Sequence, residues 1–278
     1  MFIQWFPGHM TRAVRMMEEQ VKLCDGIIYV LDSRAPYACL NKNNDKIFGA
    51  KPVLYLLNKS DLVESADLLK VVNHFKSQNK KVLTMVGTNE KSGKQLYNEI
   101  FCLLSDKVEK YKQKGINRPL RVMVAGIPNT GKSTIINLLC GGKKAKTGDK
   151  AGVTKDKQWI KIRDLEFLDT PGTTPPSFEN QKNALFLAFI GSINDDILDF
   201  VELSYEFINI LLEKNKLILE KVYNISIENQ NSKEIFEMIA LKRGAVKKGG
   251  VIDEERASSI IINDYRKGKL GKIIFIDK

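Results

Sequence analysis

Short apolar runs alternate with helical patterns along the first part of the chain. Two segments, 10–23 and 66–77, have helical spacing of apolar residues. Runs that are apolar on both faces and bounded by polar or glycine residues predict buried β-strands at 26–31, 52–57, 81–86, 121–125 and 165–168. This alternation is typical of an α/β fold in which helices cover both faces of a mostly parallel sheet.

The pattern changes after about Pro176. Strand signals disappear, and helical periodicity continues through 197–212, 233–242 and 254–267. The pair Pro175-Pro176 predicts a hinge between the two parts. We therefore expect an α/β domain over residues 1–176 and a smaller, all-helical domain over residues 177–278.

Charge and composition narrow the classes of function. The 278 residues include 44 Lys and Arg against 33 Asp and Glu, a net charge of +11. This excess favours a polyanionic partner such as nucleic acid, although a lysine-rich protein without such a partner has the same balance. The longest apolar run, 184–190, is far shorter than the ~20 residues of a membrane span, and the first ten residues lack a secretory-signal pattern. We predict a cytoplasmic protein with no membrane partner.

Residues 126–133 read GIPNTGKS and match the phosphate-loop pattern G-x-x-x-x-G-K-[ST]. They follow a predicted strand and precede an apolar helix, which is the context that this motif requires. Lys132 is expected to reach the β- and γ-phosphates, and the Ser133 hydroxyl to bind Mg²⁺. Backbone N–H groups of the loop and the helix N-terminus add positive potential for phosphates. The same loop supplies further candidate nucleotide contacts from Asn129, Thr130, Gly131 and Thr134.

The tetrapeptide NKSD at 58–61 follows the second predicted strand. The Asp61 carboxylate can accept hydrogen bonds from the N1–H and exocyclic amine of guanine, whereas adenine would leave the charge unpaired. The Asn58 amide can hold the other edge of the base, the Lys59 stem can cover its face, and Ser60 completes the loop. Alone, this sequence is also ordinary turn material. Beside a phosphate loop it favours GTP over ATP, and therefore disfavours an ATPase or kinase.

The tetrapeptide DTPG at 169–172 follows the last predicted strand. Asp169 can hold Mg²⁺ through water, and the Gly172 N–H can contact the γ-phosphate. Thr154 lies between this motif and the phosphate loop, where GTPases place a switch threonine on Mg²⁺. A turn or helix N-cap is the alternative role for Thr154, and Thr147 is a second candidate for the switch position.

The order of these motifs points to a known family. An ordinary Ras-like GTPase has its phosphate loop first and its N-K-x-D motif late, whereas NKSD here precedes GIPNTGKS. The order is that of a circularly permuted Ras-like P-loop GTPase sheet. Together with QWFPGHM (4–10), DSRAP (32–36), GVTKDKQW (152–159) and NDYRKGKLGKI (263–273), the chain resembles the YlqF/RbgA family of bacterial ribosome-biogenesis GTPases over essentially its whole length.

The resemblance implies a function. The family hydrolyses GTP with Mg²⁺, acts in late assembly of the large ribosomal subunit and carries a helical domain similar to RNA-binding ANTAR domains. It also implies a backbone contact to guanine from Val86 and Gly87, although this loop departs from the Ser-Ala-like residues usual there. The asparagine at the position of Asn129 helps bind K⁺ in this group, and a hydrogen bond that stabilises the loop is the alternative.

The chain lacks a Ras-type glutamine for hydrolysis. Thr173 and Thr174 follow Gly172, where Ras-type enzymes place a glutamine that orients the attacking water. We therefore expect slow intrinsic hydrolysis and a water-orienting group from elsewhere. His9 is the candidate catalytic residue because the resemblance places its segment near the nucleotide and a histidine can orient or deprotonate water. A packing or RNA-contacting role is the alternative.

Basic, glycine-punctuated segments at 241–250 and 266–272 suit contacts to an RNA phosphate backbone. Solvated helix ends are the alternative. The expected partners are GTP and GDP, a large-subunit precursor and its rRNA, with the protein a monomer off the ribosome. A GTP/GDP-sensing rRNA scaffold with incidental hydrolysis is the second hypothesis. The candidate RNA-binding residues are Lys242, Arg243, Lys247, Lys248, Arg266, Lys267 and Lys269.

Overall fold

A computed structural model of the chain describes residues 1–5, 8–142, 158–175, 178 and 180–276, with residues 9 and 158 described by their backbone alone. The predicted switch residue Thr154 and its competitor Thr147 lie outside these ranges. A six-stranded sheet with strand order β3-β2-β1-β4-β6-β5 forms the centre of the fold. Its strands are β1 (Gly26–Asp32), β2 (Val53–Asn58), β3 (Lys81–Thr84), β4 (Leu120–Ala125), β5 (Gln158–Ile162) and β6 (Leu165–Asp169).

The sheet explains how a reversed motif order still forms one site. Strand β4 lies between β1 and β6 and is parallel to both, while only the edge strand β5 runs antiparallel to its neighbour. The four strands that precede the phosphate loop in the chain lie side by side as β3-β2-β1-β4, and the two strands that follow it, β6 and β5, extend the sheet beyond β4. The fold is thus the predicted α/β, circularly permuted P-loop GTPase sheet with a smaller all-helical C-terminal part.

Ten α-helices lie within the described ranges, and the last four form the C-terminal helical part. Polar caps begin several of them. The side chain of Asn231, for example, accepts from the backbone of Glu234, and the Glu234 carboxylate accepts in return from the backbone of Asn231, which forms a capping box. None of the helices described is both long and apolar enough to cross a membrane. The helices are α1 (Gly8–Gln20), α2 (Lys42–Phe48), α3 (Ser65–Ser77), α4 (Glu90–Leu103), α5 (Ser105–Gln113), α6 (Lys132–Cys140), α7 (Gln181–Phe189), α8 (Phe200–Tyr223), α9 (Ser232–Lys242) and α10 (Glu254–Arg266).

The two faces of the sheet have separate apolar cores. Side chains alternate along β1, so that Ile28 and Val30 join a core under α4 and α6, whereas Ile27 and Leu31 join the core on the other face. This second core continues without interruption into α7 to α10. The predicted boundary near residue 176 therefore marks a change of secondary structure, while the apolar core runs through both parts.

The C-terminal tail closes this shared core with an aromatic cluster. The ring of Phe275 stacks on Phe186 at 5.0 Å between centroids and lies 5.3 Å from Phe189 and 5.4 Å from Tyr265. The backbone N–H of Phe275 donates to the carbonyl of Arg34 at 2.6 Å, at the end of β1. The tail thus fixes the helical part against the sheet.

We predict that Phe275→Ala lowers the free energy of unfolding by about 3–5 kcal/mol, because it leaves a large cavity in a fully packed aromatic cluster. Urea unfolding followed by circular dichroism measures the change. Leu217→Ala, at a position 63% exposed on α8, is the matched control and should change stability far less. Equal losses for the two variants would contradict the role given to the tail.

Candidate nucleotide-binding site

The sequence motifs meet at one edge of the sheet. Strands β1, β2, β4 and β6 are parallel, so their carboxyl ends lie side by side. This edge carries Asp32, Asn58, the turn at Gly126 and Asp169. Ligands of open α/β sheets bind at this edge, beyond the strand ends.

The phosphate loop has the backbone geometry that its glycines allow. Gly126 has φ +149°, and a Cβ there would collide with the carbonyl oxygen of Val30. Gly131 has φ +99° and forms the N-cap of α6, and a Cβ there would collide with the amide of Asn58. Both positions therefore require glycine, and the first N–H groups of α6 stay available for an anion.

The ammonium of Lys132 lies inside this loop. It donates to the carbonyl of Ile127 at 2.8 Å, and the side chain is almost fully buried. Burial lowers the pKa of Lys132 to about 8, while the nearby Asp169 carboxylate opposes the shift. A phosphate group entering the loop would supply the negative charge that favours the protonated lysine.

Asn58 joins three loops. Its amide nitrogen donates to the carbonyl of Thr130 at 2.8 Å, and its amide oxygen accepts from the N–H of Gly87 at 2.8 Å. The side chain is only 2% exposed. Each end of the Asn58 amide keeps one further donor or acceptor, so the expectation that Asn58 also holds an edge of the base stays a prediction. The side chain positions the phosphate loop and the 86–87 loop relative to the NKSD loop.

Lys59 and Asp61 differ in how the fold holds them. Lys59 adopts a left-handed backbone (φ +58°), and its ammonium donates to the carbonyl of Asn129 at 2.8 Å and pairs with Asp32 at 2.8 Å. Asp61 is exposed, and no hydrogen bond to its carboxylate is found in the described part of the chain. Ser60 anchors the loop through its N–H, which donates to the carbonyl of Met85 at 3.2 Å. The Asp61 carboxylate is thus available to accept from guanine.

Asp169 and Ser133, the two described residues of the predicted Mg²⁺ site, lie in contact. The Ser133 hydroxyl donates to one carboxylate oxygen of Asp169 at 3.1 Å. The other oxygen is buried and has no hydrogen-bond partner among the described residues. Burial raises the pKa of Asp169, while Lys132 lowers it. A buried oxygen without a partner, next to a hydroxyl, fits the oxygen ligands that Mg²⁺ prefers.

Gly172 lies directly against the phosphate loop. A Cβ at this position would be 2.6 Å from the backbone nitrogen of Pro128, so the two loops approach as closely as backbones can. Both following threonines are fully buried. The Thr174 hydroxyl lies 3.2 Å from the carbonyl of Trp5 and 3.1 Å from the sulfur of Met10. The hydroxyls of Thr173 and Thr174 therefore face α1 and the N-terminal segment rather than a nucleotide.

Comparison with known proteins identifies the family. Residues 121–240 match a family model described as "50S ribosome-binding GTPase". Ribosome biogenesis GTPase A from Bacillus cereus is 36% identical over 99% of this chain and 94% of its own length, and the Thermotoga maritima protein of the same name is 32% identical over 98% and 94%. A crystal structure of GNP-bound YlqF from T. maritima matches with a TM-score of 0.65 at 30% identity, over 95% of this chain and 97% of that one.

The chain belongs to the ribosome biogenesis GTPase A (YlqF/RbgA) family. It is a GTP hydrolase, and its family implies the usual requirement for Mg²⁺. The family model begins at β4 and does not reach the NKSD loop, as expected if the base-reading half of the sheet has moved ahead of the phosphate loop. The resemblance predicted from the motifs is confirmed.

The roles of His9 in orienting water and of Asn129 in binding K⁺ stay predictions. The side chain of His9 lies outside the described residues, but its neighbour Met10 contacts Thr174, so α1 runs beside the segment that follows Gly172. Asn129 directs its amide nitrogen to the carbonyl of Gly191 at 2.6 Å, which ties the phosphate loop to the turn after α7. The sequence carries no signal for the contact between Asn129 and Gly191, because Gly191 lies in the helical part, 62 residues later.

The candidate RNA-binding residues divide into two groups. Lys247 and Lys248 are exposed on a hairpin between α9 and α10, closed by the bridge between Val246 and Ile252, and the Lys247 ammonium lies 4.0 Å from the Asp253 carboxylate. Its tip consists of Gly249 and Gly250, both with positive φ. Lys242 and Lys267 are also exposed, at the ends of α9 and α10.

The other candidate cations are held by the protein. Arg266 is 16% exposed in its side chain, donates to the carbonyls of Ala188 and Phe189 and pairs with Asp195 at 2.7 Å. The prediction that Arg266 contacts RNA is therefore withdrawn, since it caps the end of α7 instead. Arg243 and Lys269 both pair with Asp264, at 2.6 and 3.0 Å, which neutralises part of their charge.

We predict that Asp61→Asn weakens GTP binding by about two orders of magnitude, because an amide offers one acceptor where guanine presents two donors. Xanthosine triphosphate carries an oxygen in place of the exocyclic amine and should gain affinity. Isothermal titration calorimetry with both nucleotides measures the loss of affinity for GTP and the gain of affinity for xanthosine triphosphate. Unchanged GTP affinity would contradict the assignment of Asp61 as the base-reading residue.

We predict that Gly172→Ala lowers kcat by about tenfold or more and leaves GDP affinity nearly unchanged, because the added methyl pushes the loop from the γ-phosphate position. Single-turnover hydrolysis and fluorescent GDP titration separate the two effects. Gly142→Ala is the control, since nothing lies within 4 Å of a Cβ there and its φ is negative. An equal kcat for both variants would exclude a γ-phosphate contact at Gly172.

Proposed function

We propose that this GTPase binds precursors of the large ribosomal subunit in its GTP-bound form, acts in their late assembly, and leaves when it hydrolyses GTP to GDP and phosphate. The proposal draws on relatives named ribosome biogenesis GTPase A that align over nearly the whole chain. It places the protein in the cytoplasm, as a monomer when it is off the ribosome.

The single observation that carries the proposal is the direct bonding of the phosphate loop to the helical part. The Asn129 amide donates to Gly191, and the Ser192 hydroxyl donates to the carbonyl of Pro128 at 2.8 Å. A γ-phosphate that draws the loop around itself would act on these bonds. Nucleotide state and the orientation of the helical part are thereby linked.

The helical part carries the proposed RNA contact. Lys247 and Lys248 project from a short hairpin, and Lys242 and Lys267 lie on the adjoining helix ends. Exposed ammonium groups on a narrow projection suit the phosphate backbone of folded RNA, which proteins recognise by shape and charge rather than by base edges. In this proposal the rRNA contact is made by these four lysines.

The described residues would share the work of hydrolysis as follows. Lys132 and the N–H groups at the start of α6 hold the phosphates, Asp61 holds guanine, and Ser133 and Asp169 hold Mg²⁺. A Mg²⁺ ion held by these two residues would supply positive charge against the negative charge of the β- and γ-phosphates. His9 would orient the attacking water, and Thr154 would complete the metal site. A K⁺ ion would take the Asn129 amide oxygen as a ligand, while the amide nitrogen keeps its bond to Gly191.

A scaffold function remains the second candidate. The burial of both Thr173 and Thr174 leaves no water-orienting side chain directly after Gly172. A protein that hydrolyses GTP slowly could serve as a GTP/GDP-sensing rRNA scaffold. Multiple-turnover GTPase rates with and without large-subunit particles distinguish the two. Stimulation by about two orders of magnitude favours the assembly switch, whereas an unchanged rate favours the scaffold.

We predict that Lys247→Glu with Lys248→Glu abolishes or greatly weakens co-sedimentation with large-subunit particles in the presence of a non-hydrolysable GTP analogue. The residual binding should also depend less steeply on salt, because fewer phosphate contacts are made. The control is Lys70→Glu with Lys76→Glu, an equal charge change on α3. If both pairs weaken binding equally, the hairpin is not the specific contact.

A further inference from the structure

A buried carboxylate lies between the base-reading loop and the phosphate loop, and the motifs of GTP binding do not account for it. Asp32 ends β1, the strand between β2 and β4, and it is in register with Asn58 at the end of β2. The side chain is fully buried. It cannot touch a nucleotide, so any influence on binding must act through its neighbours.

Two cations hold this carboxylate. Arg34 grips it with two parallel hydrogen bonds, from Nε at 2.9 Å and from Nη2 at 2.8 Å. The Lys59 ammonium contacts the second oxygen at 2.8 Å. Bidentate arginine pairs and charge-assisted bonds are among the strongest polar contacts in proteins. Arg34 holds the pKa of Asp32 well below its usual range, and Lys59 adds to the effect, so the group stays charged.

Asp32 therefore fixes the end of the Lys59 side chain. The same ammonium also donates to the carbonyl of Asn129 in the phosphate loop. The left-handed backbone and the two bonds to the ammonium fix both ends of the Lys59 side chain, whose stem is predicted to cover the face of the base. Without Asp32, one of the two anchors of this stem would be lost.

Arg34 extends the same cluster into the helical part. Its Nη1 donates to the carbonyl of Arg266 at 3.2 Å, its own carbonyl accepts from Phe275, and its guanidinium lies 5.3 Å from the ring centre of Tyr265. The side chain is only 2% exposed. One arginine thus contacts the anchor of the base-reading lysine and the end of α10 at the same time.

We propose that Asp32 is a positioning residue for guanine nucleotide binding through Lys59, and that Arg34 links occupancy of the base site to the end of α10 and the C-terminal tail. The proposal depends on the binding of GTP and not on the ribosomal role. A base packed on the Lys59 stem adds a contact to the side chain that Asp32 already holds, and through Arg34 this stabilises the packing of residues 265–275.

The Asp32→Asn variant tests the positioning role. It keeps the shape of the side chain and removes its charge, so GDP and GTP should bind about tenfold more weakly, the size of one charge-assisted hydrogen bond. The value of kcat at saturating GTP should be nearly unchanged. A change confined to kcat, or affinities within twofold of wild type, would overturn the proposal.

Asp25→Asn is the matched control. Asp25 immediately precedes β1 at the opposite end of the same strand, is equally buried and is bound by Tyr111, Arg118 and the N–H of Arg121. It should lower thermal stability to a similar degree and leave nucleotide affinity unchanged. Equal losses of affinity in both variants would show that the Asp32 effect is only a consequence of instability.

The Arg34→Lys variant tests the link to the helical part. Lysine keeps a positive charge near Asp32 but lacks the fork that also reaches Arg266. In the wild-type protein, GDP binding should slow hydrogen exchange in residues 265–275. In Arg34→Lys this nucleotide-dependent difference should fall by about half or more, with GDP affinity within about threefold. The link would be overturned if GDP slowed hydrogen exchange in the variant as much as in the wild type, or if GDP had no effect on exchange in the wild type.

A measurement on the wild-type protein tests the positioning role even if the Asp32 variant fails to fold. With nitrogen-15 at the lysine Nζ atoms, the doubly bonded Lys59 ammonium should give a slowly exchanging signal, assigned by its loss in Lys59→Arg. Rapid exchange of that signal in the GDP complex would overturn the positioning role. A wild-type protein that bound no GTP at all would refute nucleotide binding itself, which is a distinct outcome.

Discussion

The hydrogen bonds of the Asn58 amide hold together a site whose parts come from distant regions of the chain. The amide links the end of β2 to Thr130, 72 residues later, and to Gly87 in the loop after β3. A 2% exposed amide with both ends bonded cannot be exchanged for a side chain of another shape without leaving buried polar groups unpaired. The protein itself therefore fixes the NKSD loop and the phosphate loop relative to each other, without a bound nucleotide.

Permutation changes what lies beyond this site. The segment that follows Gly172 does not return into the sheet but leads to α7, and the turn after α7 bonds back to the phosphate loop through Gly191 and Ser192. Arg266 fastens the end of α7 to α10 and to Asp195. The helical part is thus attached to the sheet on the side where nucleotide chemistry takes place, and a single apolar core runs beneath both. A shift of the phosphate loop would act on these bonds as well as on the bonds from Asn58 and Lys59.

Local sequence predicts the buried strands and the phosphate loop well, but it predicts the edge strand β5 and helix α7 poorly. Strands buried on both faces and a phosphate loop between strand and helix carry strong local patterns. The edge strand β5 is not predicted, because its five residues, QWIKI, form neither a continuous apolar run nor a strict alternation of apolar and polar positions. Helix α7 was missed as a helix because it is apolar nearly all round, so its pattern shows no 3.6-residue period.

Residue roles are harder to predict than elements because they depend on partners far along the chain. The basic stretch 266–272 suggests an RNA contact, yet Arg266 finds two carbonyls and a carboxylate more than 70 residues away. Arg34 likewise meets a carbonyl 232 residues later. In both cases an arginine fork pairs with an aspartate and also reaches a distant backbone carbonyl. These two arginines therefore present little positive charge to a polyanion, because a partner inside the fold already balances each of them. A basic segment of sequence thus predicts an RNA contact only for those of its cations that the fold leaves exposed.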